Sequence, residues 1–260
     1  FNAGFMTKAH AKLIKTGTTD SNMQDLADCD WIIESILVPD PKIRQDLYKQ
    51  IQKIAKPDAI FSSNTSMDTT GEMTVDQDND FKRRFANTHF FNPPPSMPLL
   101  EIIKGAQTDP TVISALADFC DKVLGKKVVH CKDERGFIAN RIGIYAMERT
   151  KAEALKQNTN IEDVDALMGQ AFGFPALGMF RLADEVGLDV VYHVRSDFHE
   201  YLPHADHFHK LFTAIDDLRA LLKDFCLFYP SVAADDLTRR GAVGARIHAK
   251  VVLNHSSRSP

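Results

Sequence analysis

The sequence predicts an α/β domain on a mostly parallel sheet, followed by an all-helical domain, and three observations carry that reading. Up to about Cys131, short apolar runs of strand character alternate with a helical period across short links. From Gly136 onward every apolar pattern has the spacing of a helix. A change of composition at Asp133 to Gly136 separates the two. The 260 residues suit one large domain or two modest ones. A net charge of -4 and a pI near 6.2 leave no basic footprint for nucleic acid or an anionic membrane. No apolar run approaches the roughly 20 residues of a membrane span. The four cysteines lack CxxC spacing and read as reduced, buried thiols; with no export signal in view, the chain reads as cytoplasmic.

Asp30 to Ile36, DWIIESI, is apolar enough for a strand buried on both faces, with Glu34 near its carboxyl end. Pro39-Asp40-Pro41 breaks the chain. Ile43, Leu47, Ile51 and Ile54 then recur at helical spacing, and Ala59 to Ser62 forms the next strand, completing a βαβ unit. The polar turn Ser63-Asn64-Thr65-Ser66 follows at a strand's carboxyl end, where open α/β sheets place ligands. Thr69 to Asp80 reads as an exposed helix or loop. Strands are expected over Phe85 to His89, Leu99 to Ile103 and Lys127 to Cys131, with a helix from Pro110 to Leu124 capped by Asp109. Helices are expected over Phe137 to Leu155, Ile161 to Phe172, Arg181 to Val194 and Lys210 to Lys223.

The chemistry concentrates between Ala86 and Lys104. Pro93, Pro94, Pro95 and Pro98 force a loop between two short strands, so the chain goes out and returns. His89 at the end of one strand can then face Glu101 within the other. A histidine backed by a carboxylate is a general-base unit, because the carboxylate fixes the tautomer and stabilises the imidazolium. Glu101 is the sharper clue, since a carboxylate in an apolar strand is costly unless paired.

Trp31-Ile32-Ile33-Glu34, Ser63-Asn64-Thr65-Ser66, His89-Phe90-Phe91-Asn92-Pro93, Leu100-Glu101-Ile102-Ile103 and Gly136-Phe137-Ile138-Ala139-Asn140-Arg141 occur in one order and spacing. In this the chain resembles the L-3-hydroxyacyl-CoA dehydrogenases of fatty-acid β-oxidation, most closely the dehydrogenase part of chains that also carry an enoyl-CoA hydratase. The resemblance runs to about Val194. It implies a Rossmann-like NAD-binding domain over residues 1–133, a helical substrate and dimerisation domain over 134–225, and an unassigned basic tail over 226–260. It implies that His89 removes the 3-hydroxyl proton with Glu101 as its partner. Asn140 supports that catalytic pair, Ser66 and Asn92 contact an acyl-CoA thioester, and Glu34 and Asn64 border the NAD. A homodimer through the helical domain is implied as well.

One departure stands out. The family's fold opens with a strand and a GxGxxG turn that holds the pyrophosphate, whereas Gly4 and Gly17 here follow no strand, so the Rossmann-like domain reads as incomplete, lacking its first phosphate-binding part. The alternative is a catalytically silent portion of such an enzyme acting as a helical dimerisation module. The histidines at 199, 204, 207 and 209 lack the single-face spacing of a zinc pair and read as a solvated stretch.

Overall fold

The computed structural model describes residues 12–36, 38, 40–174 and 176–211. It divides into two compact units between Phe137 and Ile138. The expected helix over Lys210 to Lys223 and the tail from residue 226 lie almost wholly outside the described residues.

The first unit opens with a single helical turn, α1 (Thr19–Asn22), and a 3₁₀ turn over Met23–Leu26. A five-stranded sheet follows in the order β1 (Trp31–Glu34), β2 (Ile60–Ser63), β3 (Phe85–Phe90), β4 (Leu99–Lys104), β5 (Lys127–Cys131). The first three strands run parallel, β4 reverses against β3, and β5 runs parallel to β4. Between β1 and β2 lies α2 (Pro41–Gln52), and between β4 and β5 lies α5 (Pro110–Lys122). Both helices begin Asp-Pro for the same reason. The Asp40 and Asp109 carboxylates each accept from a first-turn N–H, of Lys42 and Thr111, at 2.9 Å, and the proline follows where no donor is missed.

Strand alternation sends side chains to two cores. Leu47, Tyr48 and Ile51 of α2 pack with Ile32, Phe61, Phe81 and Phe85 on one face. On the other, Val112, Leu116 and Cys120 of α5 pack with Ala86, Leu100 and Ile102. Burial in this second core pushes the Cys120 thiol up to about 12.

The segment expected to be an exposed helix or loop is helical and largely exposed, but it turns four side chains inward. It forms α3 (Thr70–Met73) and α4 (Asn79–Arg83), and Thr70, Met73, Thr74 and Gln77 are buried. Its polar composition conceals capping: Thr69 and Glu72 form a reciprocal box, and Gln77 donates to the Gln45 carbonyl at 3.0 Å.

The second unit is helical: α6 (Ala139–Gln157), α7 (Ile161–Leu167), α8 (Phe180–Val186) and α9 (Leu188–Tyr201). Asn158 ends α6 in the left-handed region at φ 50°, and Asn160 caps α7 by accepting from Asp163 N. The sequence predicts one helix across Arg181 to Val194; the structure has two, broken at Gly187, whose φ of 102° only glycine adopts without strain. Similarly, the helix expected over Ile161 to Phe172 stops at Leu167 and gives way to a 3₁₀ turn. Glu148 of α6 and Arg195 of α9 form a buried ion pair at 3.1 Å. Among the described residues no helix is long and apolar enough to cross a membrane, and no group of histidines, cysteines or acids could hold a metal.

The proline loop between β3 and β4 is held from inside by Lys126, itself buried, whose Nζ donates to the carbonyls of Pro94 and Met97, the latter at 2.7 Å. Lys126→Met removes both bonds. We predict a loss of about 1–2 kcal/mol of stability, with faster amide exchange at Ser96 and Met97, whose N–H groups donate to Pro93 O. Exchange at those two amides unchanged from the parent would show that the loop holds itself.

Candidate active site

β3 and β4 are joined by a short loop and therefore pair antiparallel, with His89 directly opposite Glu101. Side chains opposite one another share a face, and here they meet. His89 Nδ1 lies 2.7 Å from Glu101 Oε2, with the two side chains 8% and 1% exposed. An ionised carboxylate can only accept, so Nδ1 carries the hydrogen and Nε2 keeps a lone pair. The ring rests against Phe91 and Phe137, at centroid distances of 4.3 and 5.8 Å. This is an oriented base in apolar surroundings, able to take a proton at one defined atom.

On the far side of Glu101 is Cys131, whose Sγ donates to Oε1 at 3.5 Å. Nothing in the sequence singled out this residue. Its alignment with Glu101 depends on the β4–β5 register, in which Ile103 faces Cys131 and Glu101 faces Val129.

Asn64, in the turn after β2, ties strand ends together. Its Oδ1 accepts from Phe90 N at 2.9 Å and its Nδ2 donates to Ser35 Oγ at 3.2 Å. The side chain thus links the ends of β1 and β2 to the residue next to His89. Ser66 lies half-buried further along the same turn, and Asn92 is exposed on the loop after β3. Asn140 is half-buried at the start of α6, in the helical unit.

Glu34 departs from what its position at a strand end suggests. The resemblance sets it beside the dinucleotide, yet its carboxylate is turned into the core and is only 4% exposed. Oε1 accepts from Ile36 N at 2.6 Å. Oε2 accepts from Tyr48 OH at 2.8 Å and Ser63 Oγ at 2.7 Å and lies 3.0 Å from Arg44 Nε. Burial, followed by the charge of Glu34, holds the Tyr48 phenol well above its ordinary range, so it remains a donor. Arg44 also pairs with Asp68 at 2.8 Å. Asp68 in turn accepts from Thr65 Oγ1 at 3.0 Å and lies 3.8 Å from Arg135, which reaches Glu72 at 2.5 Å. This network carries the turn that bears Asn64 and Ser66, and its long-range pairings leave no local trace in the sequence.

Residues 2–134 match the model of the 3-hydroxyacyl-CoA dehydrogenase NAD binding domain, and residues 136–221 match that family's C-terminal domain. A probable 3-hydroxyacyl-CoA dehydrogenase of Deinococcus radiodurans is 37% identical over 206 residues, covering 79% of this chain and 59% of that protein. The mitochondrial hydroxyacyl-coenzyme A dehydrogenase of Mus musculus is 38% identical over 178 residues, covering 67% of this chain and 54% of that one. The chain thus spans little more than half the length of these two relatives. Among solved structures, (S)-3-hydroxybutyryl-CoA dehydrogenase PaaH1 from Ralstonia eutropha superposes with a TM-score of 0.64 at 28% identity, over 88% of this chain and 74% of that one. M. tuberculosis FadB2 gives a TM-score of 0.67 at 27% identity, over 78% and 68%. Two matched family models in sequence order, on a sheet unit followed by a helical unit, show that this chain belongs to the 3-hydroxyacyl-CoA dehydrogenase family.

Proposed function

We propose that the chain acts in the NAD-dependent oxidation of an L-3-hydroxyacyl-CoA thioester to the 3-oxoacyl thioester, the dehydrogenation step of fatty-acid β-oxidation. The observation that carries this reading is the buried contact of His89 Nδ1 with Glu101, in a chain of this family. Nε2 of His89 takes the proton of the 3-hydroxyl. The imidazolium so formed is stabilised by Glu101, which already holds the ring in the tautomer that leaves Nε2 open. Asn140 supports the pair, Ser66 and Asn92 bind the thioester, and the helical unit covers substrate and forms a homodimer. Exposed Ile142, Leu155, Leu167 and Phe172 support that last assignment.

The described residues fit one end of the cofactor. Exposed Ser35, half-buried Asn64 and half-buried Ser66 offer polar groups at the carboxyl ends of β1 and β2, where open sheets leave a crevice. They suit the nicotinamide end and include no pyrophosphate cradle. NAD+, when bound, supplies the hydride acceptor. Glu34, at the strand end bordering the NAD, serves this site from inside, as the anion that keeps Arg44 and the strand end in place.

With acetoacetyl-CoA and NADH, followed by absorbance, the parent chain is expected to turn over; none, beside an active full-length relative, would favour the silent dimerisation module. His89→Gln should abolish turnover while leaving thioester binding largely intact, and near-parental rates would refute the base assignment. Glu101→Gln should lower kcat by a factor on the order of 10² to 10⁴, and an unchanged kcat would leave Glu101 a structural residue. Glu34→Ala strands a buried guanidinium and should cost about 3–5 kcal/mol in urea denaturation. A loss under about 1 kcal/mol, within the range of an exposed pair, would return Glu34 to the cofactor side.

A further inference from the structure

We propose that Cys131 is a positioning residue of the His89–Glu101 pair, its thiol holding Oε1 of Glu101 so that Oε2 stays aligned on His89. The inference rests on the reading of His89 as the base and adds to it a third member on a third strand.

Glu101 is 1% exposed, so each of its oxygens has left water and needs a donor. His89 serves Oε2 at 2.7 Å, and Cys131 serves Oε1 at 3.5 Å, a normal reach for sulfur. The thiol has a second acceptor nearby, the Val129 carbonyl, but at 3.8 Å. The carboxylate is both closer and charged, and a charged acceptor makes the stronger bond, so the thiol hydrogen goes to Oε1.

Held at one oxygen, a glutamate carboxylate turns easily about its last torsion, which has only a broad twofold preference. Held at both, it has one orientation. Cys131 supplies such a hold on Oε1. Its strand places it there: on a parallel ladder Glu101 faces Val129, and Cys131, two residues on, shares the same face as its diagonal neighbour. The residue is itself fixed, 8% exposed and packed with Ile103 and with Phe137, whose ring also lies against His89.

Comparison with Cys120 shows that this is more than packing. Cys120 is fully buried among Leu116, Val112 and Ala86, an apolar setting in which a thiol acts as a small hydrophobe. Cys131 instead meets a carboxylate.

The test is proton NMR of the whole chain, reading the downfield imidazole N–H resonance of the His89–Glu101 bond, assigned by its loss in His89→Gln. Cys131→Ser retains a donor and should keep the resonance near its parental position. Cys131→Ala and Cys131→Val, the second filling the thiol's space without a donor, should shift and broaden it and speed its exchange with water by about tenfold, the worth of one hydrogen bond to a charged group. In turnover, kcat should fall about tenfold in the alanine and valine variants at unchanged KM, and recover in the serine variant. A resonance of parental position and exchange in both the alanine and valine variants would overturn the proposal, even if their melting temperatures fell, and would leave the base assignment standing. Retained turnover in His89→Gln would defeat the base assignment instead.

Discussion

The structure around this site depends on one carboxylate in an apolar sheet. Glu101 sits between Leu100 and Ile102, both in the α5 core, and is as deeply buried as these hydrophobic neighbours, at 1% exposed. Such a group costs several kcal/mol unless donors replace its water. Donors from two neighbouring strands do so, His89 on β3 and Cys131 on β5. The reversal of β4 is what makes the first of these possible. A parallel β4 would need a long crossover, whereas the loop from Phe91 to Pro98 only allows the chain to turn back, which sets residue 101 opposite residue 89.

A second charged system supports the neighbouring strand ends. Glu34 anchors β1 to α2 through Tyr48 and Arg44, and to β2 through Ser63. Arg44 then reaches Asp68, which fixes the turn after β2 through Thr65. A single buried pair in this chain would add little net stability, because desolvation offsets most of the attraction. Its value lies in geometry. The turn bearing Asn64 and Ser66 is held from below, and Asn64 reaches across to Phe90 beside His89, so the two charged systems meet through one amide.

The order of strands and helices was legible because each signal is local: Asp-Pro helix starts, prolines that cannot extend a strand, apolar runs of strand length. The facing of His89 and Glu101 was legible too, since an antiparallel return fixes it within a few residues. What escaped was set by distant register or by single dihedral angles. Cys131 meets Glu101 only when β5 aligns on β4, a match across the whole of α5. The break at Gly187 interrupts an apolar period that continues on both sides, so the period alone predicts one helix. The internal partners of Glu34 escaped for a related reason: its strand-end position is visible in sequence, but the inward turn of its side chain depends on Tyr48, Ser63 and Arg44, none of them a neighbour in sequence.

The segment that ends the sheet unit also belongs to the site. Asp133 accepts from the N–H and hydroxyl of Thr70, at 2.8 and 2.5 Å, and Arg135 pairs with Glu72 and Asp68, so the chain leaving β5 is fastened to α3. Gly136 and Phe137 then both adopt the left-handed region, at φ 70° and 48°. Glycine does so freely; phenylalanine does so at a cost of order 1–3 kcal/mol, sustained only where the surroundings dictate the conformation. Here they do, since the buried Phe137 ring lies between Ile103, Cys131 and His89. The strained turn therefore sets an apolar wall against His89, beside a hydrogen bond whose strength depends on a low local dielectric. A tether leaving the sheet would need none of this, and these residues are part of what holds the His89 ring in one orientation.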